Sequence, residues 1–178
     1  MSPMLKTGDF YPADARQARV ALGVIAASIV VLAIAWGFQI VGGFTPCKLC
    51  LEQREGYYAA IPILAIAALS IALKWPACVP RGLLAIAGLL FAVSLVTGAF
   101  QAGAEWGFWP GPNDCGNGGL PTVSSGSLLD EIEQTTIIFC DEAALRVLGL
   151  SFAGWNVIAA GALTKACLFA AIWPPKKS

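Results

Sequence analysis

The feature that most constrains this chain is a set of four long stretches almost without charge. Residues 20–47, 56–73 and 82–104 contain no Asp, Glu, Lys or Arg, and residues 147–173 contain a single lysine. A helix needs about 20 apolar residues to cross a hydrocarbon core of roughly 30 Å. The composition agrees, since 57% of the 178 residues are hydrophobic and 12% are charged, whereas soluble domains average about a quarter charged. The chain is therefore predicted to be an integral membrane protein.

The predicted architecture is a single all-α membrane domain over residues 1–178, a bundle of four transmembrane helices. The first stretch is too long for the apolar region of a cleaved signal peptide, so an uncleaved first helix is expected. The second outer loop is the only sizeable polar region, and a capping box at Ser127–Asp130 predicts that it carries one or two short helices. The predicted helices are 18–41, 56–73, 82–102 and 148–173, and the outer loops are 42–55 and 103–147.

The distribution of Lys and Arg predicts the orientation of the bundle. Seven of these residues lie in the two termini and in the loop between the second and third helices, whereas three lie in the other two loops. Positive residues accumulate on the cytoplasmic side, so both termini are predicted to be cytoplasmic. The apolar stretches make membrane lipid an expected partner, whereas no basic tract suggests nucleic acid.

The six cysteines divide between the two sides of this topology. Cys78 is expected on the cytoplasmic side and Cys167 within the fourth helix, and both are interpreted as small packing residues. Disulfides persist in oxidising compartments outside the cytoplasm. The four cysteines in the two outer loops are Cys47, Cys50, Cys115 and Cys140.

Structural disulfides, a tetrathiolate zinc site and redox exchange are all open to these four cysteines. Metal binding is disfavoured because Cys115 and Cys140 are 25 positions apart and the chain contains no histidine. A bridge between Cys47 and Cys50 would close a loop too short to constrain much chain, whereas C-x-x-C spacing suits reversible exchange. The spacing favours redox chemistry, with structural bridges and a metal site as alternatives.

The surroundings of Cys50 favour a thiolate. Pro46 blocks helix upstream, so the second helix is predicted to begin at about Cys50, and a thiol in a first helical turn gains from unpaired N–H groups and the positive dipole end. Arg54 lies four residues on, on the same helix face, where it is either a permanent charge near the sulfur or an ordinary interfacial anchor. Phe44, Tyr57 and Tyr58 could line a site for a lipid-soluble oxidant, although interfacial aromatics are common.

Several segments resemble one known family. The order Pro-Cys-Lys-Leu-Cys-Leu-Glu-Gln-Arg at 46–54 resembles the P-C-x-L-C-x-x-Q-R signature of the disulfide bond formation protein B (DsbB) family. Residues 107–112 ahead of Cys115, the pair Cys140–Asp141 and the segment 149–156 resemble further elements of that family. The resemblance covers about residues 18–173.

The resemblance implies a quinone-dependent thiol oxidase of the bacterial inner membrane, with its active cysteines facing the periplasm. Such a protein reoxidises a periplasmic DsbA-like thioredoxin-fold oxidase and delivers the electrons to ubiquinone or menaquinone. By position, Cys115 would be attacked by the partner's thiolate, and Cys140 would then pass reducing equivalents to Cys47. Cys50 would face the quinone as a thiolate or charge-transfer donor, with Arg54 stabilising its negative charge.

Proton uptake in this chain needs a route without histidine. Some relatives carry a histidine near the end of the third helix, where this chain has Gln101 and Glu105. Glu105 is a candidate for the proton route, and an ordinary loop acid is the alternative interpretation.

Overall fold

The computed structural model describes residues 15–111 and 143–172. Every helix in this part of the chain is long and apolar enough to cross a membrane. The shortest has 21 residues and the longest 28, which corresponds to about 31 to 42 Å at 1.5 Å per residue. The expectation of four membrane-spanning helices is confirmed. The helices are α1 (Ala15–Ile40), α2 (Lys48–Ala72), α3 (Cys78–Glu105) and α4 (Phe152–Ile172).

α2 begins two residues before Cys50, close to the start that Pro46 predicts, but well inside the loop that the charge pattern predicts. Residues 48–55, which the charge pattern assigns to the first outer loop, are helical. Cys47 caps this helix, because its Sγ accepts the backbone N–H of Cys50 at 3.3 Å. The cap gives a partner to one of the first-turn N–H groups that otherwise lack one. Charged residues mark where a helix leaves the hydrocarbon, not where it ends, so the pattern underestimates the length of α2.

A short hairpin precedes α4, where the sequence predicts helix from residue 148. Its strands are β1 (Arg146–Val147) and β2 (Leu150–Ser151), paired antiparallel. Leu148 and Gly149 form the turn with φ of 53° and 83°, and two-residue hairpin turns of type I′ need positive φ at both positions. The Trp155 indole donates to Val147 O at 3.0 Å. This bond attaches the hairpin to α4.

The core depends on close approach of α3 to its neighbours. α3 packs extensively against both α2 and α4, whereas α1 contacts α2 and, less extensively, α4. A Cβ added to Gly56 of α2 would lie 2.9 Å from Leu90 O of α3, so no larger residue fits there. Small residues at helix interfaces let backbones approach closely in membranes. The largest fully buried side chains include Tyr57 and Phe91, whose ring centroids are 5.3 Å apart.

Several predictions concern residues outside the described ranges. The short helix or helices predicted for the second outer loop, with the capping box at 127–130, involve such residues. Two of the four outer cysteines, Cys115 and Cys140, are also among them.

Candidate functional site

The C-x-x-C pair lies at the start of α2, on the side facing α3. The sulfur atoms of Cys47 and Cys50 are 2.8 Å apart, and both cysteines are free thiols. Cys47 is buried and Cys50 half-buried. A disulfide bond is about 2.05 Å long, so the two sulfurs can form one with a movement of under about 1 Å. The two thiols are therefore arranged for reversible oxidation.

Gln101 of α3 supplies N–H groups to both sulfurs. Its Nε2 lies 3.4 Å from Cys50 Sγ and 3.5 Å from Cys47 Sγ. The same nitrogen lies 3.1 Å from Glu105 Oε1, one helical turn on, so its two N–H groups are shared among the carboxylate and the two sulfurs. The side chain is only 4% exposed, so these hydrogen bonds are shielded from water and correspondingly strong. Cys50 Sγ is also 3.7 Å from Gln101 Oε1, to which it donates when protonated.

Three further side chains extend this contact into the bundle. The Tyr57 hydroxyl donates to Asn156 Oδ1 at 2.7 Å, and Asn156 Nδ2 donates to Gln53 Oε1 at 2.8 Å. Gln53 Nε2 then donates to Gln101 Oε1 at 2.7 Å. We call Tyr57, Asn156, Gln53 and Gln101 the amide chain. It connects α2, α3 and α4, and its hydrogen bonds all run from the tyrosine towards the cysteines.

Gly98 of α3 leaves room for the amide chain. A Cβ at this position would lie 3.1 Å from Asn156 Nδ2 and 3.3 Å from Gln53 Oε1. Such contacts are tighter than ordinary van der Waals separation. The hydrogen bond between Asn156 and Gln53 thus crosses α3 at a residue without a side chain.

The two thiols differ in their acidity. The hydrogen bond shared with Cys50 raises the pKa of Cys47 well above its usual range. Burial, the charge on Cys50 and the charge of Glu105 raise it further. Cys47 is consequently the member of the pair that keeps its proton. Negative charge is better accommodated on Cys50, which accepts from Gln101 and lies in the first turn of α2.

The two carboxylate oxygens of Glu105 differ in their hydrogen bonding. Its Oε1 accepts from Gln101, whereas its Oε2 is buried and has no hydrogen-bond partner within residues 15–111 and 143–172. The backbone carbonyl of Glu105 accepts from Arg146 Nη2 at 3.2 Å. The carboxylate that the sequence suggests as a proton-route candidate is therefore connected to the thiol pair through one residue, Gln101.

A cavity of about 400 Å³ lies between α1, α2 and α4. Its walls are mostly apolar and include three aromatic rings with centroids 4.8 to 6.2 Å apart. Ligand sites of small molecules typically have volumes of about 300–1,000 Å³ with a few polar groups in an apolar lining. These three rings are Phe38, Phe44 and Phe152; Tyr57 and Trp155 also line the cavity, and its polar groups include Gln39, Cys50, Gln53, Arg54 and Asn156.

Arg54 lies in the cavity wall and interacts with α1. Its Nη1 donates to Gln39 Oε1 at 2.7 Å and its Nη2 to Ala35 O at 3.4 Å. The guanidinium carbon lies 5.8 Å from the centre of the Trp36 ring, within the range of a cation–π interaction. Cys50 and Arg54 line the same cavity, as their spacing of four residues predicts.

The other aromatic and cysteine candidates differ in their position and in their exposure. Phe44 and Tyr57 line the cavity, whereas Tyr58 is exposed and accepts a hydrogen bond from the Trp36 indole at 2.7 Å. Cys78 is exposed and Cys167 buried, and both are free thiols. Within residues 15–111 and 143–172, no three Cys, His, Asp or Glu residues cluster in a way that could hold a metal ion.

Sequence reasoning gave no role to three members of the amide chain. Gln53 and Asn156 lie in the motifs that carry the family resemblance, and the sequence distinguishes Gln101 only by its place near the end of α3. The position of Gln101, a polar residue inside a long apolar helix, is a sequence signal for a buried polar contact. Polar groups within membrane segments are costly unless they have partners. Gln53 and Gln101, 5% and 4% exposed, have such partners in each other.

Comparison with known proteins gives one family. The family model described as disulfide bond formation protein DsbB matches residues 17–170, nearly the whole chain. Neither the curated proteins nor the solved structures contain a match. The matched range includes both thiols of the C-x-x-C pair, the amide chain and all four helices except the first two residues of α1 and the last two of α4. The chain therefore belongs to the DsbB family of membrane oxidoreductases that generate disulfide bonds.

Proposed function

We propose that this protein reoxidises a DsbA-like dithiol oxidase and transfers the electrons through two cysteine pairs to a membrane quinone. The observation that carries the proposal is the position of Cys50. Its sulfur is 2.8 Å from that of Cys47, and its side chain also lines the apolar cavity that contains Arg54. Cys50 thus contacts the other thiol of the pair and also lines a cavity suited to an apolar electron acceptor.

The proposed topology gives this site its redox environment. Both termini lie in the cytoplasm, and the four redox cysteines, two at the start of α2 and two in the loop after α3, face the periplasm of a bacterial inner membrane. The bias of Lys and Arg towards the termini and the loop between α2 and α3 supports this orientation. A thiol pair on the periplasmic side meets partners in a compartment where disulfides persist.

The proposed electron path uses the cysteines in a definite order. The partner's thiolate attacks the sulfur of Cys115 in a Cys115–Cys140 disulfide and forms a mixed disulfide, which releases Cys140 as a thiolate. Cys140 then attacks Cys47 in a Cys47–Cys50 disulfide, and Cys50 leaves as a thiolate. Resolution of the two mixed disulfides gives an oxidised partner, a re-formed Cys115–Cys140 bond and a reduced Cys47–Cys50 pair. The partner loses two electrons, which reach Cys47 and Cys50.

The cavity residues fit a quinone. A volume of about 400 Å³ is within the range of small-molecule sites, and the aromatic walls suit a flat apolar ring. A guanidinium has five N–H donors, more than the two hydrogen bonds that Arg54 makes within the described residues. Arg54 would therefore hold a ring oxygen beside Cys50. A quinone in this position supplies an acceptor for two electrons and two protons.

The proposal is tested by quinone-dependent oxidation of a reduced thioredoxin-fold dithiol by the purified protein. The matched variants are Cys47→Ser and Cys115→Ser, one from each pair, with Cys78→Ser as a control outside both. We expect turnover in the wild type and in Cys78→Ser, and loss of turnover in the other two. Absence of turnover with both ubiquinone and menaquinone, while the four outer thiols stay oxidised, would favour structural disulfides instead.

A further inference from the structure

The hydrogen bonds around the thiol pair have a common direction. Tyr57 donates to Asn156, which donates to Gln53, which donates to Gln101, which donates to the sulfurs. We infer that Gln101 is a positioning residue that keeps Cys50 as the anionic member of the pair, with its amide orientation imposed by the other members of the amide chain. This inference rests on the proposed use of Cys47 and Cys50 as a redox pair.

The orientation of the Gln101 amide follows from its neighbours. A carboxamide has an accepting oxygen on one side and a donating nitrogen on the other. Gln53 Nε2 lies 2.7 Å from the Gln101 oxygen, so the Gln101 nitrogen must face the cysteines. A reversed amide would oppose two N–H groups at that contact and present an acceptor to a thiolate.

The orientation of Gln53 is determined in turn by Asn156. The Asn156 nitrogen donates to Gln53 Oε1 at 2.8 Å and to the backbone carbonyl of Ser94 at 3.2 Å. A backbone carbonyl can only accept, which determines which end of the Asn156 amide faces α3. The Tyr57 hydroxyl completes the arrangement by donating to Asn156 Oδ1. Donors in series polarise one another, so the last donor, Gln101, is strengthened.

Arg54 does not take this role in the structure. Its hydrogen bonds within the described residues go to Gln39 and Ala35 of α1. In the same ranges, the side chains that hydrogen-bond to Cys50 Sγ are Cys47 and Gln101. Gln101 is thus the neutral donor that contacts the sulfur directly, and Arg54 acts from the cavity side.

This arrangement has a consequence for the redox equilibrium. Reduction of the Cys47–Cys50 disulfide takes two electrons and one proton and gives a Cys47 thiol and a Cys50 thiolate. A donor to the thiolate stabilises the reduced form and makes the disulfide easier to reduce. Gln101 therefore favours passage of electrons from Cys140 to this pair. The titratable groups that face Cys50 within the described residues are Cys47 and Glu105, and Arg54 lines the cavity beside it.

The test compares two buried glutamines at opposite ends of the bundle. Gln101→Leu removes the donor to the sulfurs. Gln17→Leu is the matched control, since Gln17 is also 4% exposed and donates to Ala170 O at 2.9 Å. The full-length protein is incubated in glutathione buffers, and the fraction of Cys47–Cys50 disulfide is determined by mass spectrometry. The rate of Cys50 alkylation is measured across pH by the same site-resolved method.

We expect Gln101→Leu to slow Cys50 alkylation at neutral pH by about tenfold, the effect of losing one hydrogen bond to a charged group. The disulfide equilibrium should shift tenfold towards oxidation, or about 30 mV for a two-electron couple. Gln17→Leu should change neither quantity. Equal effects in both variants, or no effect in a folded Gln101→Leu protein, would overturn the inference.

A second variant covers the case in which Gln101→Leu does not fold. Gln101→Glu keeps the volume of the side chain and, when ionised, replaces the donor with a negative charge. Cys50 alkylation should then slow by more than tenfold at neutral pH, and an unchanged rate would contradict the inference. Neither readout needs quinone or a partner protein. Failure of the inference is therefore distinguishable from failure of the proposed electron path.

Discussion

Replacing Arg54 with alanine separates the two half-reactions of the proposed path. The guanidinium lies in the cavity wall, 2.7 Å from Gln39 Oε1 and 5.8 Å from the centre of the Trp36 ring. A hydrogen bond that involves a charged group contributes about 1.5–3 kcal/mol, which corresponds to about a 10- to 150-fold change in a binding constant. Arg54→Ala should therefore raise the KM for quinone within that range. Exchange with the partner dithiol should change much less, because the proposed path places it at the other cysteine pair.

The assay measures each half-reaction by itself. Formation of the mixed disulfide with the partner is followed without quinone, and oxidation of the reduced Cys47–Cys50 pair is followed with quinone alone. Arg54→Lys is the matched control, since lysine keeps the charge but loses the planar fork of donors, so its KM should lie between those of the wild type and Arg54→Ala. Equal losses in both half-reactions, or an unchanged KM in Arg54→Ala, would refute a role for Arg54 at the quinone.

Two further substitutions test the surroundings of the thiols. The hydrogen bond within the pair and burial account for most of the raised pKa of Cys47, and the charge of Glu105 adds to it. Glu105→Gln should lower that pKa and so speed Cys47 alkylation at a given pH. A slower reaction would show that the Glu105 charge does not raise the pKa of Cys47. Gly98→Ala should disturb the Asn156 amide, whose nitrogen would lie 3.1 Å from the new Cβ. This overpacking should lower the free energy of unfolding by about 1–3 kcal/mol. Gly23→Ala, where the Cβ meets nothing within 4 Å, should leave the midpoint of thermal unfolding unchanged or higher, and equal destabilisation of both variants would contradict the packing argument.

The amide chain explains how a membrane bundle tolerates so many polar groups at one end. Tyr57 is 1% exposed and Gln53 and Gln101 are nearly as buried. Hydrogen bonds between membrane helices contribute about 0.6–2 kcal/mol each, whereas an unpaired polar group in hydrocarbon is costly. Each amide in the chain both donates and accepts. The same contacts that orient the donors towards Cys50 thus attach α2 to α3 and α4.

The sequence predicts the coarse fold for a simple reason. Long runs without charge can be stable in a bilayer only as helices that satisfy their own backbone hydrogen bonds. Four such runs therefore predict four helices, whatever their order of packing. The C-x-x-C spacing and the position of Arg54 four residues beyond Cys50 are equally local, because both follow from the geometry of one helical turn.

The helix ends were less predictable. The charge pattern reports the edge of the hydrocarbon and misses the start of α2. Pro46 predicts that start to within about two residues, and the Cys47 sulfur caps it. The hairpin before α4 depends on positive φ at Leu148 and Gly149, and leucine gives no local signal for that conformation. Its indole contact from Trp155 is likewise a tertiary interaction.

The sequence by itself determined the class of protein, the number of spanning helices and the thiol pair with its nearby arginine, because each follows from composition or from spacing within one helix. Only the tertiary structure decided which polar groups meet those thiols. Gln53 and Gln101 are 48 positions apart and Tyr57 and Asn156 are 99 apart. Their contacts depend on how closely α3 approaches its neighbours, which Gly56 and Gly98 permit. Such distances are set by packing between helices, and no local pattern in the sequence encodes them.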